Sequence, residues 1–273
     1  MIKHLARWFD DTILDLTRQF RWSYLPPLMV YFAAGVSGLT SIVGAFFIKD
    51  YLGLSAAFLA GLTFWTGIPW ILKMPLGHLV DIMWRRKAIL VYLGAGLIAA
   101  SLVIMYALVA HTKAMATIAP VETWFVVSVI LSPVGYVIQD VVADAMTVEA
   151  VPSLTPAGER FSRAQIKTMH TTMQTLGRFA IVSGLLIVAA LNIFMFSDAG
   201  NLSAEQLADV YGNIYLIALV IPALSVAGVI LGEVDTHRRI HRLRDRGIDE
   251  ARIQETMTSE GERTEPDPWL LGG

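Results

Sequence analysis

Six long apolar stretches, separated by short polar loops, occupy most of this chain. They cover roughly residues 28–48, 52–76, 88–110, 123–147, 179–196 and 211–232. A helix needs about 20 residues to cross about 30 Å of hydrocarbon, and each stretch is close to that length. Lipid offers an open backbone no hydrogen-bond partners, so the stretches are expected to be helical. The sequence therefore predicts an all-α, polytopic membrane protein with six transmembrane helices, spans 1 to 6.

The composition agrees with a chain that folds in lipid. Hydrophobic residues make up 55% of it and charged residues 16%, with a mean hydropathy of +0.57. These values exclude a soluble domain with a fully hydrated surface. The absence of cysteine excludes disulfides, thiolate metal sites and cysteine nucleophiles. Since the spans contain no nucleophile with a base partner and no metal-ligand spacing, we predict no enzyme activity, no metal, no cofactor and no nucleic-acid partner.

Lysines and arginines alternate between loops, and this pattern predicts the orientation. They lie before span 1 and after spans 2, 4 and 6: Lys3, Arg7, Arg18, Arg21; Arg85, Arg86, Lys87; Arg160, Arg163, Lys167; and Arg238, Arg239, Arg242, Arg244, Arg246. The other loops hold only Lys49 and Lys113. Because basic loops remain cytoplasmic, both termini are expected in the cytoplasm. We predict an integral protein of a bacterial inner membrane.

Three segments are expected along the chain. Residues 1–25 have apolar residues at helical spacing, which predicts an amphipathic helix in the cytoplasmic interface or an ordinary solvated helix docked on the bundle. Residues 26–234 would form the six-span bundle in the bilayer. Residues 235–273 are basic and then acidic, which is typical of a cytoplasmic linker or tail.

The loop between spans 2 and 3 carries a charged motif, Gly-His-Leu-Val-Asp-Ile-Met-Trp-Arg-Arg-Lys, starting at Gly77. It resembles the loop signature of the major facilitator superfamily, with a tryptophan where a second glycine is usual. In that superfamily the glycine permits a tight turn, and the acid and arginines latch the cytoplasmic side. The resemblance therefore implies a gating role for Gly77, Asp81, Arg85 and Arg86, together with Lys73.

Residues 47–55, 68–77 and 139–149 narrow this resemblance. Together they look like the folate-biopterin transporter family within that superfamily, over about residues 26–232. Family members have two six-span halves around a substrate cavity, so the resemblance implies the amino-terminal half of such a fold. It further implies secondary active uptake of folate- or pterin-like organic anions, after the chain pairs with itself or with a second six-span half.

Several charges are expected at the cytoplasmic ends of the spans. Asp140 and Asp144 are four residues apart, so they share one face of span 4, and Arg178 opens span 5. Charges at that depth are costly unless they are paired or face a wet cavity. A network would satisfy them; its members are Lys73, Asp81, Arg85, Asp140, Asp144 and Arg178.

Two interpretations of this network stay open at the level of sequence. It either locks helix ends together, or Asp140 or Asp144 titrates during proton-coupled transport or meets the substrate. Arg178 and Trp70 complete the substrate and coupling candidates, although Trp70 could equally be a packing residue or interface anchor rather than a platform for a flat ring. Two alternatives to a half-transporter remain: a non-transporting scaffold or assembly subunit of a larger membrane complex, and a fragment of a full-length carrier.

Overall fold

The computed structural model describes residues 19–41, 43–44, 55–152, 154–155, 159–197, 201–249 and 253. Within those ranges the regular structure is helical and contains no strand. The α-helices are α1 (Leu25–Val36), α2 (Ala56–Ile71), α3 (Lys73–Ile82), α4 (Lys87–Ala110), α5 (Thr112–Ile118), α6 (Val121–Ala150), α7 (Arg163–Met195), α8 (Ala204–Ala218) and α9 (Val220–Asp245).

Five helical segments are long and apolar enough to cross a membrane: Ala57–Ile82, Lys87–Ala110, Val121–Ala150, Arg163–Met195 and Gln206–Asp245. They coincide with predicted spans 2 to 6, which supports an integral membrane protein with five candidate membrane-spanning helices. Predicted span 1 begins with α1 and continues into a 3-10 turn at Ser37–Thr40. Residues 45–54 lie outside the described residues, so the sixth span stays a prediction. The amino-terminal amphipathic segment and most of the carboxyl-terminal tail also lie outside them.

Span 5 is longer than its apolar stretch, because its helix begins in polar sequence. Ser162 accepts a hydrogen bond from the backbone N–H of Gln165, and the Gln165 side chain accepts one from the Ser162 N–H. This capping box satisfies two N–H groups that a helix start leaves unpaired. The helix therefore begins at Arg163, sixteen residues before the predicted span, and its first turns extend beyond the apolar part.

Span 2 is broken into α2 and α3. Pro69 lies within α2, and Leu72 leaves the helical region with φ −77° and ψ 1°. The Leu72 N–H donates to the Pro69 carbonyl at 3.1 Å, which is the tighter i to i+3 pattern of a 3-10 turn. Helix α3 restarts at Lys73, so the break sits immediately before the lysine that the sequence places at the cytoplasmic end of this span.

The spans pack in a regular order. Span 1 packs against spans 5 and 6, span 4 packs against spans 2 and 3, span 3 contacts span 6, and span 1 contacts span 4. Glycines mark the tightest crossings: a Cβ on Gly94 of α4 would lie 2.8 Å from the Gly135 carbonyl oxygen of α6, and one on Gly184 of α7 would lie 2.8 Å from the Gly35 carbonyl carbon of α1. Small residues at such points let helix backbones approach closely in lipid.

Spans 2 and 5 form the least covered sides of the bundle. Their most apolar windows are 11% and 17% buried, against 39% to 44% for the other three membrane-spanning segments. Large apolar side chains therefore point outward from both, including Phe64 and Met74 on span 2 and Leu186 and Phe194 on span 5. These two sides are available to lipid or to a partner.

Candidate functional site

A compact charged group lies where spans 1, 2 and 4 meet. Lys73 Nζ is 2.6 Å from Asp140 Oδ2 and 3.0 Å from Asp144 Oδ2. The two acids are one turn apart on α6, so both carboxylates project from the same face. Lys73 reaches them from the first residue of α3, just after the break in span 2. Three members of the predicted network are thus in direct contact.

Tyr31 of α1 is a further member, which sequence reasoning missed. Its hydroxyl donates a hydrogen bond of 2.7 Å to Asp144 Oδ1. Its ring packs on α7, since a Cβ on Gly177 would lie 3.0 Å from two ring carbons. A tyrosine in an apolar span gives no sequence signal for its partner, and this partner is 113 residues away. We refer to Tyr31, Lys73, Asp140 and Asp144 as the Lys73 cluster.

The Lys73 cluster is only partly enclosed by protein. The side chains of Lys73, Asp140 and Asp144 are 41%, 21% and 51% exposed. One base faces two acids, so these three groups carry a net charge of −1 when all are ionised. Unshielded charge is unfavourable in hydrocarbon, so the open side of the cluster must face water or another polar surface.

Arg178 lies beside the cluster without joining it. It follows Gly177, which packs on the Tyr31 ring, and its guanidinium is near enough to act electrostatically on the Tyr31 hydroxyl. Among the described side chains it forms no ion pair with either aspartate. The structure therefore places this cation on span 5 at the edge of the cluster, where its own side chain is exposed.

The residues predicted for the cytoplasmic gate are only partly brought together. Gly77 approaches span 4, with Val141 4.0 Å from the position of an added Cβ. Asp81 and Arg86 are exposed, and among the described side chains no ion pair joins either to the Lys73 cluster. The side chain of Arg85 lies outside the described part. The structure thus connects Lys73 to the aspartates and leaves the role of the loop charges as a prediction.

A second ion pair ties the same end of the bundle. Lys87, at the start of α4, pairs with Glu149 near the end of α6, and its Nζ lies 4.7 Å from the centre of the Trp84 ring. Ser23 adds a 2.7 Å hydrogen bond to the Ala150 carbonyl. These contacts join three segments at one membrane side, which is the role expected of helix-end charges. Sequence analysis included Lys87 among the basic residues but missed its acidic partner.

Two sets of neutral polar side chains are hydrogen-bonded to each other inside the bundle. The Ser101 and Ser128 hydroxyls each donate to the other residue's carbonyl, at 2.8 and 2.9 Å, between spans 3 and 4. Gln139 accepts a 3.0 Å bond from Ser225 of span 6 and donates to the Val91 carbonyl at 3.4 Å. These buried contacts satisfy their own groups, which marks them as packing contacts rather than ligand sites.

Trp70 is half-exposed, with 49% of its surface accessible, and lies one turn before Lys73 in span 2. Trp70 belongs to α2 and Lys73 to α3, so the break at Leu72 separates the two residues. As for metals, the described residues contain no group of three or more His, Cys, Asp or Glu side chains placed to hold an ion.

Comparison with known proteins gives a partial similarity. No family model matches this chain, and no solved structure matches it. The chain is 38% identical over 90 residues to a folate-biopterin transporter of Synechocystis sp.. The matched segment covers 32% of this chain and only 18% of that protein, so it spans a small part of the relative. Together with five apolar helices long enough to cross a bilayer, this similarity fits a membrane transporter.

Proposed function

We propose that this chain is a half-size transporter of the folate-biopterin family, with a major-facilitator fold. It would carry out secondary active uptake of folate- or pterin-like organic anions across a bacterial inner membrane. The observation that carries the proposal is the partly exposed Lys73 cluster, in which three ionisable side chains of the apolar spans 2 and 4 are in contact. Ionisable groups within membrane spans usually mark an ion or substrate pathway. The partial similarity to a folate-biopterin transporter supports the same class of protein.

The order of helix packing supports this fold. Exchanging spans 1, 2 and 3 for spans 4, 5 and 6 preserves the main neighbours: span 1 packs on 5 and 6 as span 4 packs on 2 and 3. The exception among the described residues is a small contact between spans 4 and 5, which spans 1 and 2 do not match. The contacts between spans 1 and 4 and between spans 3 and 6 map onto themselves. Such an exchange is expected of two inverted three-helix repeats, which make up each half of a major facilitator.

The Lys73 cluster would serve as the coupling site. Asp140 or Asp144 would take up a proton or contact the substrate, with Arg178 and Trp70 completing the candidate site. The residues predicted to gate the cytoplasmic side are Lys73, Gly77, Asp81, Arg85 and Arg86. Lys73 would link the two functions, because it belongs to the gating segment of span 2 and binds both aspartates of span 4.

Transport would require a second bundle. Alternating access works by two bundles rocking about a site between them, and here the charged cluster opens to the outside of one bundle. Spans 2 and 5, the least covered of the five membrane-spanning segments, are suited to receive the second bundle. We propose that a second copy of the chain or a second six-span unit covers the exposed faces of spans 2 and 5 and completes the cavity.

The test is uptake by the reconstituted protein. The oligomeric mass is measured in native nanodiscs, and uptake of labelled folate and biopterin is measured in proteoliposomes with an imposed proton gradient. We expect uptake by an assembled form, a strong loss in Asp144→Asn and no loss in Asp209→Asn, a change at an exposed site on α8. A lone six-span monomer that transports would contradict the pairing. An assembled form that moves no pterin would instead favour the scaffold function.

A further inference from the structure

The Lys73 cluster contains more hydrogen-bond acceptors than donors. Two carboxylates offer about eight acceptor sites, whereas the Lys73 ammonium and the Tyr31 hydroxyl supply about four N–H and O–H donors. The three charged members also have a net charge of −1 when ionised. A ligand group that contacts the two carboxylates should therefore be rich in N–H donors, while the Arg178 cation lies at the edge of the cluster.

Asp144 is the member of the cluster whose carboxylate is both held in place and accessible to such a group. Its Oδ1 accepts from Tyr31 at 2.7 Å and its Oδ2 accepts from Lys73 at 3.0 Å. Contacts to two different helices fix the plane of this carboxylate. The side chain is nevertheless 51% exposed, against 21% for Asp140, so Asp144 is the more accessible acid. Each carboxylate oxygen can accept a second hydrogen bond.

We propose that Asp144 binds the aminopyrimidinone edge of a flat heterocycle, accepting two parallel N–H bonds from it. This inference rests on the proposed function and specifies which part of the substrate binds here. In a pterin ring the 2-amino group and N3–H are adjacent donors, and they match a carboxylate as the guanidinium of arginine does. The ring of a folate, rather than its anionic glutamate tail, therefore enters the cluster.

Tyr31 acts here as a positioning residue. It would not touch the ligand, but its hydroxyl donates to Asp144 Oδ1 and so restricts rotation of the carboxylate that binds the ligand. Trp70, three residues before Lys73, has a half-exposed ring and is the aromatic candidate for stacking on such a heterocycle. Guanine presents an equivalent donor edge, so the chemistry is shared by pterins and guanine nucleosides, and the experiment must separate these two sources.

The experiment measures binding of four probes to the protein in native nanodiscs: pterin, lumazine, p-aminobenzoylglutamate and guanosine. Lumazine differs from pterin by a 2-oxo group in place of the 2-amino group, so it presents an acceptor to the carboxylate. The wild type should bind pterin about tenfold to a hundredfold more tightly than lumazine, as expected for one charge-assisted hydrogen bond. p-Aminobenzoylglutamate carries the anionic glutamate tail of folate but lacks the pterin ring, so it should bind more weakly than pterin.

Two variants, each with a matched control, test whether Asp144 and Tyr31 produce the preference for pterin over lumazine. Asp144→Asn replaces one acceptor oxygen by a donor and should abolish the preference for pterin over lumazine. Tyr31→Phe should reduce the preference severalfold, because Asp144 loses a fixed orientation but keeps its charge. The controls are Asp209→Asn on α8 and Tyr92→Phe, an exposed tyrosine on span 3; neither should change the ratio of affinities.

Each outcome decides one question. Equal binding of pterin and lumazine by the wild type overturns the inference, even if Asp144→Asn fails to fold. An unchanged preference in a folded Asp144→Asn variant also overturns it, whereas folate uptake by the same preparation would leave the proposed function standing. Tighter binding of guanosine than of pterin would refute the pterin assignment. If no probe binds and no uptake occurs, both the inference and the proposed function are wrong.

Discussion

Removing the charge of Lys73 should destabilise the contact between spans 2 and 4. Lys73→Met replaces the lysine by an uncharged, unbranched side chain of similar length. It leaves Asp140 and Asp144, one turn apart on α6, without their cation. Breaking a fully buried ion pair costs about 3–5 kcal/mol, and an exposed pair contributes about 0–1 kcal/mol. Because Lys73 is 41% and Asp140 21% exposed, we expect an intermediate loss of about 1–3 kcal/mol of unfolding free energy.

A double-mutant cycle tests this reasoning. The free energy of unfolding is measured in mixed micelles for Lys73→Met, Asp140→Asn and the double variant. Asp140→Asn alone should cost less, because Lys73 keeps Asp144, and the double variant should lose less than the sum of the single losses. Lys113→Met, at an exposed site on α5, is the matched control and should change stability little. Additivity within about 0.5 kcal/mol would refute a stabilising pair.

Three further predictions concern packing and orientation. Gly94→Ala should cost about 1–3 kcal/mol, because its Cβ would overlap α6, whereas Gly96→Ala on the same helix meets open space and should cost nothing in the same unfolding assay. Gln139→Leu should cost about 0.5–1.5 kcal/mol in the same assay, because it removes one buried hydrogen bond while the Ser225 hydroxyl keeps the Ile221 carbonyl as an acceptor. Single cysteines at Lys113 and Ser203 should react with an impermeant reagent on intact cells, and protection of both would contradict the orientation.

The charges in the Lys73 cluster show how far sequence reasoning reached. The pairing of Asp140 and Asp144 on one face follows from helical geometry alone, since residues four apart are stacked. That Lys73 would meet them was predicted from its depth in span 2. Tyr31 was not predicted, because depth and periodicity say nothing about how a neighbouring helix is rotated.

Glycine positions also separate what the sequence predicts from what the packing of the helices decides. Gly94 and Gly96 are two residues apart on α4, in similar sequence, yet one touches Gly135 and the other faces open space. The residue type permits close approach, but the rotation of α4 against α6 decides which glycine uses it. The break at Leu72 is comparable, because Pro69 and Pro75 suggest a bend, while the fold determines that the bend directs Lys73 toward span 4.

By itself, the sequence determined that the chain folds in lipid and that its apolar stretches are helices. Apolar stretches of membrane-crossing length must be helices in lipid, since every backbone group has to be paired within the chain, and five of them are found in the structure as membrane-spanning helices. Only the tertiary structure decided which side chains meet between helices. Contacts within a helix are set by its periodicity, whereas contacts between helices depend on tilt, rotation and breaks that arise from the packing of the whole bundle.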